Sequence, residues 1–204
     1  MTPNEKSPII AAIVLAAGAS RRMGRAKMTL PFHENTVLGT ILTTLHQAEI
    51  DPLIVVIGGA QQQVEAALSD LPFAVTRAYN PDFEHTEMLD SLKIGMRVLP
   101  EDTDAFLIVL GDQPQIQLDV VRSMLNEYQS SAHDLIIPSY QMRRGHPWLV
   151  SRPLWPALRS IAVDQTMRDF LRQQQDQILY LAVDTPSILQ DMDTPEDYQS
   201  ALKD

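Results

Sequence analysis

Seven consecutive apolar residues at positions 9–15, Ile-Ile-Ala-Ala-Ile-Val-Leu, run without a break into the small residues Ala16, Ala17 and Gly18. A strand of that composition has no polar face to turn to water. It must be covered on both sides, as happens inside a mainly parallel sheet packed between helices. Comparable apolar runs recur along the chain, and strands are expected over 9–15, 53–57, 73–77, 105–110, 134–138 and 178–183. Between them apolar residues fall at helical spacing. Val37, Leu38, Ile41, Leu42 and Leu45 predict an amphipathic helix over 36–50. Leu89, Leu92, Met96 and Leu99 predict another, as do Val120, Val121, Met124 and Leu125, and Met167, Phe170 and Leu171. The expected class is α/β, a mostly parallel sheet with helices on both faces, in one domain over 1–204. Prolines 138, 147, 153 and 156 interrupt the alternation, so 138–156 is expected as a hairpin or loop laid over one side of the sheet.

Charge narrows the ligands. Sixteen Lys and Arg stand against twenty-six Asp and Glu, a formal charge of −10, which argues against broad attachment to nucleic acid or to an anionic membrane. Yet Arg21, Arg22, Arg25 and Lys27 follow closely on Gly18 with no acidic residue among them. A strand ending in small residues lets backbone N–H groups approach an anion, and the four cations supply the matching charge. A polyphosphate is the expected ligand. The chain has no cysteine, which excludes disulfides, thiolate metal sites and a cysteine nucleophile, and fits a cytoplasmic protein. Positions 1–8 are polar and the apolar run after them is short, so neither a secretory leader nor a membrane span is expected. His33, His46, His85 and His133 lack zinc-ligand spacing.

Spacing excludes two common phosphate loops. Five residues separate Gly18 from Gly24, and Arg25-Ala26 stands where a Walker loop carries Lys-Ser/Thr. The Gly-x-Gly-x-x-Gly dinucleotide fingerprint is also missing, which speaks against a Rossmann oxidoreductase. Residues 15–27 instead resemble the signature L-A-A-G-x-S-x-R-M-G-x-x-K of the MobA-like nucleotidyltransferases, matching every fixed position from Leu15 to Lys27. The resemblance implies a Rossmann-like three-layer αβα sandwich of the nucleotide-diphospho-sugar transferase type. It also implies nucleotidyl transfer from a nucleoside triphosphate to a phosphorylated acceptor, with release of pyrophosphate. Leu15, Ala16, Ala17, Gly18, Ala19 and Ser20 would bind the nucleotide, while Arg22 and Lys27 would neutralise its phosphates.

A carboxylate follows the fourth expected strand, in Gly111-Asp112-Gln113-Pro114. Ligands of open α/β sheets collect beyond the carboxyl ends of strands, so Asp112 should share an edge with the Gly18 loop. There it can hold Mg²⁺ against phosphate oxygens, although Gly-Asp and Pro also suit an ordinary turn. The tetrapeptide is similar to the metal-binding segment of the family's cytidylyl branch. In Asp191-Met192-Asp193-Thr194-Pro195-Glu196-Asp197, Thr194, Pro195 and Asp197 make a helix start. Similar stretches in related nucleotidyltransferases complete the metal site with the aspartate before Thr-Pro. This implies Asp193 as the second Mg²⁺ ligand, with Asp191 as the alternate.

Asn80-Pro81, Ser91-Leu92 and Gly95 resemble the family's nucleotide-lining segment, with Ser91 either contacting the nucleotide or capping a helix. Glu87 and Asp90 depart from the usual Gly- and Ser-rich entry and place two carboxylates near a triphosphate. Arg144-Gly145-His146-Pro147 resembles the Gly-His-Pro element, so Arg144 and His146 are candidates for the acceptor. The implied reaction is CTP plus a molybdopterin-type cofactor, with a molybdoenzyme as a receiver of the product. Two alternatives stay open: GTP or another phosphorylated acceptor, and a non-catalytic protein that binds and delivers a nucleotide-modified cofactor, which Glu87 and Asp90 favour.

Overall fold

The computed structural model describes residues 7–18, 26–162 and 165–203. Its main sheet has eight strands: β1 (Ile10–Ala16), β4 (Leu53–Ile57), β5 (Thr76–Tyr79), β6 (Ala105–Leu110), β7 (Leu135–Tyr140), β8 (Arg143–Arg144), β9 (Trp148–Ser151) and β10 (Ile178–Ala182). Two short strands, β2 (Pro31–Phe32) and β3 (Asn35–Thr36), pair separately. The helices are α1 (Val37–Gln47), α2 (Gln61–Ser69), α3 (Met88–Met96), α4 (Leu118–Ser130), α5 (Trp155–Ser160), α6 (Met167–Gln173) and α7 (Pro195–Ala201). Among the described residues no helix is long and apolar enough to cross a membrane.

The sheet order is β10-β7-β9-β6-β1-β4-β5, with β8 paired to β7. Neighbours are parallel except around β9, which runs antiparallel to β6 and β7, and in the β7–β8 hairpin. Alternate residues of β1 feed two cores. Ala12, Val14 and Ala16 pack with α1 and α4, whereas Ala11, Ile13 and Leu15 pack with α3, α5 and α6. Ile13, Ile54 and Phe106 are fully buried, each side chain contributing roughly 1.5–3 kcal/mol over an exposed one. A β-carbon on Gly95 would lie 2.5 Å from Ile13 Cγ2, so the absent side chain is what lets α3 lie close on β1.

The chain steps outward from β1 to β4 to β5, then returns to place β6 on the other side of β1. That reversal opens a crevice at the carboxyl ends of β1 and β6, the usual ligand position in such sheets.

The segment 138–156 is corrected by the structure. It does not lie over the sheet but enters it, because Trp148–Ser151 is buried throughout and fills the gap between β6 and β7. The five residues between Pro147 and Pro153 are too short a run to read as a central strand. The third strand is also displaced, pairing from Thr76 rather than Phe73. Phe73 instead stacks on His46 of α1, with ring centroids 4.2 Å apart. Helix α2 was not anticipated, since only Val64 and Leu68 of it are buried.

Candidate active site

Three chain segments meet at the crevice. β1 ends beside Gly111, whose N–H donates to the Leu15 carbonyl at 3.1 Å. A β-carbon there would stand 2.7 Å from that oxygen and 3.0 Å from Met28 Sδ, so Gly111 lets the Asp112 turn, the end of β1 and the 3₁₀ turn Lys27–Thr29 close together. Lys27 Nζ donates to Asp112 Oδ2 and to Asp193 Oδ1, each at 2.9 Å. Those partners lie 85 and 166 residues away along the chain.

The lysine side chain is 8% exposed, against 24% for Asp112 and 50% for Asp193. Taking an ammonium out of water is costly and acts to lower its pKa, but the charges and hydrogen bonds of Asp112 and Asp193 outweigh that and hold it above 10.5. Lys27 is therefore a fixed cation at neutral pH. Two carboxylates already converge on one positive group, and an all-oxygen donor pair suits a hard divalent ion. Among the described residues no cage of three or more metal-ligating side chains occurs. That is compatible with an ion such as Mg²⁺, which keeps waters and takes phosphate oxygens beside one or two carboxylates.

Asp193 is set by the start of α7. Asp197 Oδ2 accepts from the Thr194 N–H at 2.8 Å and from the Asp193 N–H at 3.2 Å, completing the capping box expected from Thr194 and Asp197. Asp191 is directed elsewhere, accepting from Gln113 Nε2 at 2.6 Å. Alongside, the Met192 N–H donates to the Asp112 carbonyl at 3.1 Å. Tyr198 of α7 also donates its hydroxyl to the Pro31 carbonyl. Gln113 and Tyr198 carried no assigned role in the sequence, since bonds across such separations leave no local pattern.

Of the residues expected to bind the nucleotide, Leu15, Ala16 and Ala17 are buried and Gly18 has no described atom within 4 Å of where a β-carbon would stand. Ala19, Ser20 and Arg22 lie outside the described residues, as do Arg21 and Arg25. Asn80 and Ser91 are both buried and face each other, Asn80 Nδ2 donating to Ser91 Oγ at 3.0 Å and to Thr86 Oγ1 at 2.9 Å. They brace the end of β5 against α3. Ser91 is not a cap, because the helix begins one turn earlier at Glu87. Glu87 is exposed, and its N–H donates to Asp90 at 3.0 Å in a capping box. The two carboxylates near the entry are thus explained by the helix start.

Arg144 is exposed on β8, and Gly145 follows with its N–H on the Pro138 carbonyl. The His146 N–H donates to the Ile188 carbonyl at 3.0 Å. Ile188 and Asp193 are five residues apart, so this rim lies within a chain reach of about 18 Å from the Lys27 cluster. The His146 ring stacks on Trp148 with centroids 4.7 Å apart, and its Nε2 is buried with no hydrogen-bond partner among the described residues.

Burial pushes the His146 imidazole from 6.5 down to about 4. Below pH 6.5 the unfolded chain takes up a proton here that the folded chain refuses until about pH 4, so stability falls as pH falls through that window. His146→Gln should remove about 2–3 kcal/mol of the stability difference between pH 7 and pH 4.5. Denaturant titrations at the two pH values check this, and an unchanged difference would mean that the ring titrates as if solvated.

Comparison with known proteins bears on the family and the fold. The chain is 28% identical over 190 residues to the molybdenum cofactor cytidylyltransferase of Escherichia coli (strain K12), covering 93% of each chain. It is also 28% identical over 201 residues to the nicotine blue oxidoreductase of Paenarthrobacter nicotinovorans, covering 93% of this chain and 94% of that one. The fold matches the crystal structure of Rv0371c from Mycobacterium tuberculosis H37Rv with a TM-score of 0.85 at 28% identity, over 98% of this chain and all of that one. A manganese complex of Rv0371c matches with a TM-score of 0.77 at 27% identity and the same coverage. The fold is that of the nucleotide-diphospho-sugar transferases. With the MobA-like NTP transferase domain model matching residues 12–178, the chain belongs to that family of nucleotidyltransferases.

Proposed function

We propose that this nucleotidyltransferase moves CMP from CTP to a molybdopterin-type phosphate in the cytoplasm, with Mg²⁺ as its metal. The convergence of Lys27, Asp112 and Asp193 at the switch point of the sheet carries the reading. The cytidylyl preference rests on Ala16-Ala17-Gly18, on Gly111-Asp112-Gln113-Pro114 and on the likeness to the Escherichia coli cytidylyltransferase.

In this reaction an oxygen of the acceptor phosphate attacks the α-phosphorus in line. The bond from the α-phosphorus to the bridging oxygen breaks, and pyrophosphate leaves with that electron pair. A phosphate monoester is largely dianionic at neutral pH, so no general base is required. Lys27 remains protonated and donates to the triphosphate, while the Gly18 backbone and Arg22 complete the anion cradle. Asp112 and Asp193 would hold the metal, which would supply positive charge to the phosphate oxygens. Asn80 and Ser91 stiffen the nucleotide wall. Arg144 supplies charge to the acceptor phosphate, a part that the neutral His146 does not share.

Incubation of the protein with Mg²⁺, a molybdopterin-type acceptor and each of CTP, GTP, UTP and ATP in turn tests the reading. Pyrophosphate release that is fastest with CTP and absent without acceptor is expected. Tight nucleotide binding without release, or oxidation of reduced nicotinamide in its place, would overturn it.

A further inference from the structure

Asp112 and Asp193 carry like charges on different elements; Lys27 bridges them, and when a metal takes its place contacts between those elements must keep them in register. Asp112 follows directly on β6, while Asp193 sits in a short irregular segment between the 3₁₀ turn Pro186–Leu189 and α7. Met192 is fully buried between the exposed Asp191 and Asp193, which anchors that segment at its centre and leaves both carboxylates at the surface of the crevice. Two hydrogen bonds tie the segment to the Asp112 turn: Met192 N–H to the Asp112 carbonyl, and Gln113 Nε2 to Asp191 Oδ1. Gln113 is 5% exposed, so its amide has left water and depends on this partner.

We propose that Gln113 is a positioning residue for the cation site, gripping Asp191 so that Asp193 is presented to the same cation as Asp112. The inference rests on the proposed reaction only in taking Asp112 and Asp193 as the metal-holding pair. Asp191 then serves as a handle on the segment rather than as a ligand. Lys27 holds the Asp193 side chain and Asp197 its N–H, and the Gln113 grip adds the tie to the Asp112 turn that keeps the half-exposed Asp193 in place when a metal takes the position of the ammonium.

The two roles of Asp191 separate in a charge-conserving exchange. Mn²⁺ alone is the probe, with its affinity read by electron paramagnetic resonance and the hold on the segment read by amide exchange at Met192. Gln113→Glu sets a carboxylate against Asp191 and should weaken Mn²⁺ binding about tenfold. Exchange at Met192 should quicken about tenfold while amides in β1 and β6 keep their protection. Adding Asp191→Asn restores a donor and an acceptor with their places exchanged, and should return both readouts to within about threefold of the wild type. Asp191→Asn alone should also stay within about threefold, because an amide oxygen still accepts from Gln113. Failure of the exchange to recover binding, or a loss of about 100-fold from Asp191→Asn alone, would make Asp191 a ligand and overturn the proposal. If Gln113→Glu does not fold, Gln113→Met removes the donor without adding charge and carries the same two expectations. Absence of pyrophosphate release by the wild-type protein would overturn the reaction instead, leaving Mn²⁺ affinity and Met192 exchange to decide on Gln113.

Discussion

Lys27→Met should lower turnover by about 10³-fold while tightening Mn²⁺ binding to the nucleotide-free protein about tenfold or more. The opposed signs follow from one geometry. The ammonium lies 2.9 Å from both Asp112 and Asp193, at the place where those carboxylates would meet a metal, so in the absence of nucleotide lysine and metal compete for the same oxygens. With a triphosphate present the lysine has phosphate oxygens to pair with, and the competition is relieved. Methionine fills a similar volume without charge, which helps the metal and removes the donor to the leaving phosphates. Lys27→Arg should not restore turnover, because a planar guanidinium cannot reproduce a compact ammonium shared by two carboxylates. Steady-state kinetics beside Mn²⁺ titration decides the matter. Unchanged turnover would remove Lys27 from the chemistry, and weaker Mn²⁺ binding would show that it assists the metal rather than competing.

Asp112→Asn should lose about 100-fold in Mn²⁺ affinity and about 10³-fold in turnover. It also takes the charge from one carboxylate beside the buried Lys27, and should lower stability by about 1–2 kcal/mol, with Asp193 still present as a partner. A loss of turnover larger than any loss of folded protein is the expected pattern. Calorimetry and kinetics on one preparation separate the two, and retention of Mn²⁺ affinity would place the metal elsewhere.

The parts of the fold readable in advance were those where burial on both faces leaves a continuous apolar run. The strands over 53–57 and 105–110 have the bounds that their composition predicts. β9 was unreadable because its place is set by the vacancy between β6 and β7, not by anything within four residues. The site divides in the same way. Local spacing marked the cationic loop and the helix start at Thr194 and Asp197, whereas Asp193 was legible only through the family resemblance of residues 191–197. The pairing of Gln113 with Asp191 depends on two chain segments 78 residues apart meeting in space, which no window of sequence contains. Glu87 and Asp90 carry a local signal of another kind: their spacing of three residues is that of a helix-start capping box, and that is the contact they make.

The inserted strand also bears on how the chain comes together during synthesis. β6 and β7 are made before Trp148–Ser151 emerges, so a nascent chain ending short of that point holds two adjacent strands with open edges facing one another. β1, β4, β5 and β6 pair with one another in parallel without β9, whereas β7 and β10 are joined to them in the sheet only through it.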